Sequence, residues 1–447
     1  MYDLDRLLSA VRSSVHLGLL GALMLVLLVP IAMIGGLVSE RQARYEAAVN
    51  EVSGKWGDAQ RITGPLLVLP YTAQAGTGDA GEATETRYAV FLPKRLQTVA
   101  AVRTESRERG IFSVPVYTLM PSLEGTFDRP ELAELGVDPR SVLWSRAHVV
   151  LGISDTRAIG DLSTIEWNDE EAGFLPGTAG LVGSMPGIHA PVAVSPDDSE
   201  FGFSLSLSLN GSRGVYFGPF AEETTVRLTS NSSDPSFQGD WLPAERTVSD
   251  EGFEAVWRVS YLGRNYPQAW IASSDYQQAI EASRFGVELG SPVDQYRMAD
   301  RSVKYAALFI LLTFVVVWLI EVLAAVRVHP IQYLMLGAAL CLFYLLELSL
   351  AEHIGFRLAY TIASLSIIVM VASYGRAVFR SWHRGAFVAT SVTLLYGCLF
   401  VLLTNEDAAL LIGSVGLFVV LAIVMFATRK IDWYAGVGEQ PAPESVE

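Results

Sequence analysis

The chain has 447 residues, of which 51% are hydrophobic and 18% are charged, and its formal net charge is −15. This acidic balance argues against nucleic-acid binding, for which a basic patch is the usual footprint. Both cysteines, Cys341 and Cys398, lie in the apolar C-terminal third, which excludes a disulfide framework in the rest of the chain.

Six apolar blocks are each long enough to cross a hydrocarbon core about 30 Å thick, which takes roughly 20 helical residues. One block comes before about 265 mostly polar residues, and five come after them. The blocks are Leu17–Val38, Tyr305–Val326, Ile331–Leu350, Leu358–Tyr374, Ala386–Thr404 and Ala408–Thr428. The sequence therefore predicts a multi-pass membrane protein with six transmembrane helices and one large insert between helices 1 and 2.

The first block follows Arg6 and Arg12, as the core of a cleaved secretory signal also would. Its length of 22 residues exceeds the 7 to 15 of a signal core, and no small-residue cleavage site precedes Glu40. We expect a retained anchor. The segment 39–52 begins with Ser39 and contains good helix formers, which predicts a helical extension of this anchor.

Lysine and arginine placement predicts the orientation, because short cytoplasmic loops hold most of the positive charge. With the N-terminus inside, the short cytoplasmic segments contain Arg6, Arg12, Arg327, Arg376, Arg380, Arg384, Arg429 and Lys430. The short turns on the opposite side contain Arg357 beside the acidic Glu352, Glu406 and Asp407. Both termini are therefore predicted to be cytoplasmic and the insert to lie on the opposite side of the membrane.

The negative charge is concentrated in the insert. Residues 40–303 contain 36 acidic and 22 basic residues, a balance of −14, while the rest contains 11 and 10. Such an acidic domain disfavours docking on anionic lipid headgroups. The expected partner that follows from the apolar blocks is the lipid bilayer around the helices, and the sequence indicates no particular oligomeric state.

Periodicity in the insert favours strands over helices. The run at 201–218 alternates apolar and small polar residues and then reaches Asn210 and Gly211, which predicts a half-buried strand followed by a hairpin. Further strands are predicted at 64–71, 87–93, 113–120, 141–153, 224–230 and 253–262. We expect a β-rich domain, with spacings typical of a sandwich and a few short helices.

Ionisable residues inside apolar spans are candidate functional groups, because a charge in hydrocarbon costs at least about 2.5 kcal/mol. Glu321 and Glu347 are such residues. They could form a proton relay or a polar substrate path, with Glu352 and His353 at the outer end of the third helix. Alternatively, Glu321 near Arg327 and Glu347 near the outer helix end are solvated or paired and have no function beyond structure.

Several blocks carry a resemblance to a known family. They are RITGPLLVLP (61–70), SFQGDWLPAERTVSDEGFEAVW (236–257), VDQYRMADRSVKYAALFI (293–310), HPIQYLMLG (329–337), FYLLELSLAEHIGF (343–356) and IDWYA (431–435). In this order the blocks resemble the CreD inner-membrane protein family. The resemblance implies a location in the bacterial inner membrane with the insert in the periplasm, and an unidentified periplasmic or envelope component as a partner. It also implies a role in cell-envelope integrity and envelope stress, and it carries no catalytic residues over to this chain.

Chemistry of other kinds has little support in the sequence. His148 and His189 lie far apart with no acidic partner at helical offset, so no metal site is expected. Neither a nucleophile elbow nor a phosphate-binding loop occurs. We therefore expect no cofactor, no metal and no catalytic residues, and a protein that is not an enzyme.

The predicted organisation has four parts: a cytoplasmic N-terminus with the first helix (1–39), a periplasmic β-rich domain (40–303), a five-helix bundle (304–430) and a cytoplasmic tail (431–447). Two functions remain open. Either the β-rich domain binds a periplasmic partner and the helices anchor it, or the bundle acts as a transporter or flippase-like device. Small polar residues of the bundle, such as Ser364, Ser366, Ser391 and Thr393, more often mediate helix packing than transport.

Overall fold

A computed structural model gives the structure of residues 2–74, 84–182, 185–274, 276–289, 293–324, 326–405 and 408–429. For residues 2–17, 84, 161–163 and 293–294 it gives the backbone alone. Within these ranges the chain divides into two compact units. The bundle consists of Met1–Tyr45 and Pro292–Glu447, and the β-rich domain consists of Glu46–Ser291. The predicted cytoplasmic tail lies outside the described residues.

Seven α-helices occur in the described parts of the chain. They are α1 (Tyr2–Trp56), α2 (Gln277–Ala282), α3 (Val293–Leu323), α4 (Pro330–Ile354), α5 (Phe356–Phe379), α6 (Trp382–Thr404) and α7 (Ala409–Thr428). All except the short α2 are long and apolar enough to cross a membrane. The prediction of six transmembrane helices with a β-rich domain after the first is confirmed.

Helices α3 to α6 pack against one another, and small residues bring some helices close together. A side chain at Gly337 of α4 would collide with Leu27 of α1, and one at Gly385 of α6 would meet the backbone of Arg376 on α5. Close backbone approach at small residues is the usual packing mode of membrane helices. Helix α7 contacts α6 and buries none of its apolar span, which suits contact with lipid.

The β-rich domain contains 17 strands in its described residues. They are β1 (Gln60–Gln74), β2 (Thr84–Phe91), β3 (Arg95–Arg109), β4 (Phe112–Asp128), β5 (His148–Ile153), β6 (Ile159–Trp167), β7 (Glu170–Ala172), β8 (Leu175–Pro176), β9 (Gly187–Pro191), β10 (Glu200–Ser212), β11 (Gly214–Phe217), β12 (Glu223–Ser230), β13 (Pro235–Gly239), β14 (Glu245–Ser249), β15 (Gly252–Ser260), β16 (Ala269–Ile271) and β17 (Phe285–Leu289). Short 3₁₀ helices occupy Leu132–Leu135, Pro139–Ser141, Trp144–Arg146, Thr156–Ala158 and Tyr261–Gly263.

These strands form two sheets within the described ranges. The first has the order β13-β17-β11-β1-β5-β9-β8, with β2 paired to β1 and β16 paired to β2. The second has the order β14-β15-β12-β3-β4-β10-β6-β7. Most neighbours are antiparallel, but β1 with β11 and β12 with β3 are parallel. A single hydrophobic cluster takes side chains from both sheets, including the fully buried Trp257, Phe127 and Phe285.

The predicted hairpin at Asn210 and Gly211 is wrong. Both residues continue β10 and pair with Thr118 and Tyr117 of β4. A Cβ atom at Gly211 would lie 2.4 Å from the ring of Tyr117, so glycine is needed here for close approach and not for a turn. The chain bends later, at Arg213 with φ 65°, and passes from the second sheet to the first.

The predicted strand at 141–153 is half correct, since β5 begins only at His148 and a 3₁₀ helix occupies Trp144–Arg146. The predicted helical extension at 39–52 is present as the continuation of α1 to Trp56. Its last turns belong to the β-rich domain, where Ala48 packs with Val114 and Val116 of β4.

Candidate functional site

Buried polar side chains of α3 and α4 follow one line along the bundle. On α4 they are Tyr333, Tyr344 and Glu347, all of them buried. Their separations of 11 and 14 residues are close to whole numbers of helical turns at 3.6 residues per turn, so the three lie on one face. On α3, Ser302 and Thr313 are buried as well.

Glu347 is the most unusual of these side chains, because it is 1% exposed. The hydroxyl of Ser302 donates a hydrogen bond of 2.8 Å to its Oε2 atom. Its Oε1 atom has no hydrogen-bond partner, a property shared among the described buried side-chain atoms only by Nδ1 of His148. A buried carboxylate without a paired cation is costly, so the site favours a protonated carboxyl or a bound ligand.

Aromatic side chains line the surroundings of Glu347. Phe343 of α4 contacts Tyr396 of α6 with ring centroids 4.4 Å apart. The Tyr360 hydroxyl donates to the carbonyl of Tyr396 at 2.6 Å, which joins α5 to α6. A small cleft with about 220 Å³ of empty space lies between α3, α4 and α6 and is lined by Thr313, Tyr344 and Tyr396 among others.

A second polar group lies where α4 ends, five residues or about 7.5 Å of helix beyond Glu347. The Tyr296 hydroxyl of α3 donates to Glu352 Oε1 at 3.3 Å. The guanidinium of Arg41 on α1 lies 3.7 Å from the same oxygen. Tyr296 is 1% exposed, and its ring contacts that of Tyr45. Three helices therefore meet around Glu352, whereas the neighbouring His353 is exposed.

Glu321 has a different setting at the other end of α3. The Tyr333 hydroxyl donates to its Oε2 atom at 2.9 Å, and the backbone N–H of Val328 donates to Oε1 at 3.3 Å. Both carboxylate oxygens thus join the end of α3 to the start of α4. This arrangement supports the structural interpretation of Glu321, and the structure does not bring Glu321 and Glu347 together.

The small polar residues of the bundle bond within their own helices. The hydroxyls of Ser364, Ser366, Ser391 and Thr393 each donate to the carbonyl four residues earlier. Such back-bonding satisfies a hydroxyl without a ligand. These residues therefore add no support for a polar substrate path.

The β-rich domain has its own candidate site, an open cleft with about 470 Å³ of empty space. The ends of β1, β5 and β11 line the cleft, together with α2 and the residues that follow it. Strand β1 pairs with β11 only over residues 60–62 and with β2 only from residue 67, so the cleft lies beside the point where β1 changes partner. Irregular pairing of this kind exposes the ends of strands to a ligand.

Charged side chains cluster at this cleft. Arg61 of β1 lies 3.2 Å from Glu281 of α2, and Arg284 lies 3.8 Å from the same carboxylate oxygen. The guanidinium of Arg284 also covers the ring of Tyr216 at 5.2 Å. Burial and a hydrogen bond to Glu288 raise the pKa of Tyr216 to about 12, so its hydroxyl stays protonated. Two arginines that share one glutamate can exchange that glutamate for an acidic ligand.

The two histidines of the domain are neighbours, which corrects the expectation that they lie apart. His148 on β5 and His189 on β9 have ring centroids 5.5 Å apart. His189 Nδ1 is bonded to the carbonyl of Gly177 at 2.7 Å. Burial lowers the pKa of His148, and the neighbouring His189 lowers it further. No sequence signal predicts this pairing, because β5 and β9 are neighbours in the sheet but are separated along the chain by β6, β7 and β8.

The described residues contain no group of three or more His, Cys, Asp or Glu side chains that could hold a metal ion. The histidine pair alone provides too few ligands for a structural metal, which takes four. Cys341 is buried against the carbonyl of Leu27, as expected for a packing residue.

Comparisons with known proteins agree with this architecture. The family model described as "Inner membrane protein CreD" matches residues 12–434. A relative described by the same words, from Escherichia coli (strain K12), is 35% identical over 422 residues, which are 93% of this chain and 92% of the relative. The match therefore includes both the helices and the β-rich domain.

Proposed function

The chain belongs to the CreD family of inner-membrane proteins, and on that premise we propose that it supports cell-envelope integrity through binding by its β-rich domain. The domain binds an envelope component in the cleft beside β1, and the membrane helices hold it at the membrane. The predicted orientation places this domain in the periplasm, where envelope components are accessible. The role requires binding and not catalysis.

The cleft with its two arginines is the observation that carries this proposal. The domain as a whole is acidic, yet Arg61 and Arg284 share one glutamate at the cleft. An acidic group on a ligand gains two charge-assisted contacts there. Ile62, Phe217 and Phe220 line the same cleft and provide apolar contact. The site therefore suits a ligand that combines an acidic group with an apolar part, as binding sites commonly do.

Hydroxyl chemistry in the cleft has little support. The Ser154 hydroxyl donates to the carbonyl of Ala59 at 2.8 Å and accepts from the backbone N–H of Arg61 at 2.9 Å. These bonds attach the end of β5 to β1. A nucleophilic serine instead needs a neighbouring base. Binding is accordingly the activity that we assign to the domain.

The test uses a bacterial strain that lacks this protein and is complemented with full-length variants. The double variant Arg61→Gln/Arg284→Gln removes both cleft cations. Arg258→Gln is the matched control, because Arg258 is similarly exposed and forms a 2.8 Å ion pair with Glu245 on the surface. Dye leakage and detergent sensitivity are measured after equal membrane amounts of each variant are verified.

We expect the double variant to fail in restoring the envelope and the Arg258 variant to restore it fully. Full restoration by the double variant would contradict binding in this cleft. If both variants failed equally, the loss of envelope integrity would be due to the change in general surface charge and not to the cleft. That result would also count against the proposal.

A further inference from the structure

The bundle contains a buried ionisable group that periplasmic binding does not use. Glu347 of α4 is 1% exposed, with one carboxyl oxygen bonded to Ser302 of α3 and the other without a partner. Most buried polar side-chain atoms in native structures have a hydrogen-bond partner, so this oxygen needs an explanation. With Glu347 ionised, the negative charge would be buried without a paired cation, which is costly unless a bound proton or cation neutralises it.

The groups around Glu347 identify this species. The titratable side chains that interact electrostatically with it are tyrosines: Tyr344 on its own helix, Tyr360 on α5 and Tyr396 on α6. Helix α3 contributes the neutral Ser302, and none of the described lysine, arginine or histidine side chains pairs with the carboxylate. No positive charge therefore compensates the carboxylate.

A metal cation is a poor fit to this site. Hard cations such as Ca²⁺ take six to eight oxygen ligands, and Mg²⁺ needs six in near-ideal geometry. The oxygen atoms bonded at this carboxyl amount to the hydroxyl of Ser302. A proton needs only the carboxylate oxygen itself, and it removes the charge that burial penalises.

We propose that Glu347 is a proton-binding site of the bundle, which takes up and releases its proton through the end of α4. The route connects two hydrogen-bonded pairs, each formed by one residue of α3 and one of α4. Glu347 and Ser302 lie about 7.5 to 9 Å of helix from Glu352 and Tyr296, which are bonded to each other. Arg41 beside Glu352 is one-third exposed, so this pair lies close to the surface of the protein.

The inference goes beyond periplasmic binding and requires no transported molecule. Protonation adds a donor to the carboxyl and removes a negative charge between four helices, so the two protonation states favour different packing of the tyrosines around it. Proton-binding carboxyls inside membrane helices are a recurrent feature of pumps and transporters. The site would supply the ionisable group that a transporter or flippase-like bundle needs.

The test is infrared difference spectroscopy on the purified full-length protein in lipid nanodiscs, titrated from acidic to alkaline pH. A protonated carboxyl in apolar surroundings has a C=O stretching band separate from the carboxylate bands. We expect a band that disappears reversibly as the pH rises, is lost in Glu347→Gln and is kept in Glu321→Gln. Ser302→Ala should retain the band but shift its frequency, because the carboxyl loses its hydrogen bond.

The route is tested in the same samples by transfer into D₂O, which shifts the band when the proton exchanges. Tyr296→Phe and Glu352→Gln should delay this shift, whereas Ser364→Ala should not. Absence of the band at every pH would overturn the proposal. A band whose intensity does not change with pH would also overturn it, because a permanently neutral Glu347 is only a packing group. If Glu347→Gln fails to fold, the band can still be assigned to the Glu347 carboxyl, because Ser302→Ala and Glu347→Asp should each shift its frequency.

Discussion

The β-rich domain and the bundle each bury a charged residue, and they treat it differently. In the domain, Arg264 is 7% exposed, and its guanidinium donates to the carbonyls of Pro219, Ala221 and Tyr266 and to the side chain of Gln268. In the bundle, Glu347 retains an oxygen without a partner. A closed network stabilises one packing arrangement. An incomplete one leaves a position for a ligand or a proton.

The largest effect should come from breaking the closed network. Arg264→Met removes the buried donor to three backbone carbonyls and to the Gln268 side chain, and of these carbonyls that of Pro219 keeps a second donor, the Tyr266 hydroxyl. We therefore expect the domain to lose about 3 to 5 kcal/mol of stability. The measurement is the urea midpoint of the full-length protein, followed by near-UV circular dichroism. Arg258→Met is the control and should change stability by less than about 1 kcal/mol, because its ion pair is exposed. Similar losses of stability in both variants would show that the hydrogen bonds of Arg264 do not contribute to stability as described.

An intermediate effect is expected at a single buried hydroxyl of the same domain. The Tyr117 hydroxyl donates to the carbonyl of Gly214 at 2.7 Å and accepts from the N–H of Gln60 at 3.2 Å. Burial raises the pKa of Tyr117, which keeps this donor protonated. Tyr117→Phe should therefore lower the free energy of unfolding by about 1 to 3 kcal/mol.

The comparison variant for Tyr117 is Ser364→Ala in the bundle, whose hydroxyl donates to its own helix. It should cost less than Tyr117→Phe, because a helix carbonyl keeps its backbone partner when the serine is lost. Thermal unfolding followed by tryptophan fluorescence measures both variants. An equal or larger loss for Ser364→Ala would reverse the contrast between the two regions.

The smallest effect concerns the other incomplete site, His148, and it depends on pH. Burial lowers the pKa of His148 in the folded domain. Below the unfolded value of about 6.5, the unfolded chain binds a proton that the folded domain does not bind. Stability is therefore full above that pH and falls as the pH drops toward the lowered folded pKa.

His148→Gln should make the domain less sensitive to mild acid. The check is the urea midpoint of wild type and variant at neutral and mildly acidic pH. His353→Gln is the control, because His353 is exposed on α4. If His148→Gln loses as much stability on acidification as the wild type, the histidine pair contributes nothing to acid sensitivity.

The membrane helices could be predicted from the sequence because length and apolar composition alone decide whether a segment spans a bilayer. Glu347 could be singled out for the same reason, since an ionisable residue is conspicuous in an apolar block. Its partner Ser302 could not, because that contact depends on how α3 and α4 pack. Glu321 shows the same limit: its neighbours Tyr333 and Val328 appear only after the turn between the helices is known.

The β-rich domain was predictable as a class but not in its connections. The second half of β3, residues 103–109, is charged and mostly exposed, so it has no alternating pattern. Arg264 lies in a polar loop sequence that gives no sign of burial. The cleft combines Arg61, Ser154, Tyr216 and Glu281 from four distant segments. Only long-range strand pairing brings such residues together, and local sequence patterns do not predict that pairing.

The order of the first sheet affects how the chain is made. Strand β1 lies at the centre of that sheet, yet its neighbour β11 ends at Phe217 and the next strand, β17, ends at Leu289. At roughly 5 to 20 residues per second, a ribosome needs roughly 10 to 40 s to proceed from β1 to β17. During that interval the sheet has an uncovered edge, first on β1 and, once β11 has paired with it, on β11, and an uncovered edge is the condition under which strands of different molecules associate. Newly synthesised chains are therefore most prone to aggregation before the last fifty residues of the domain are complete.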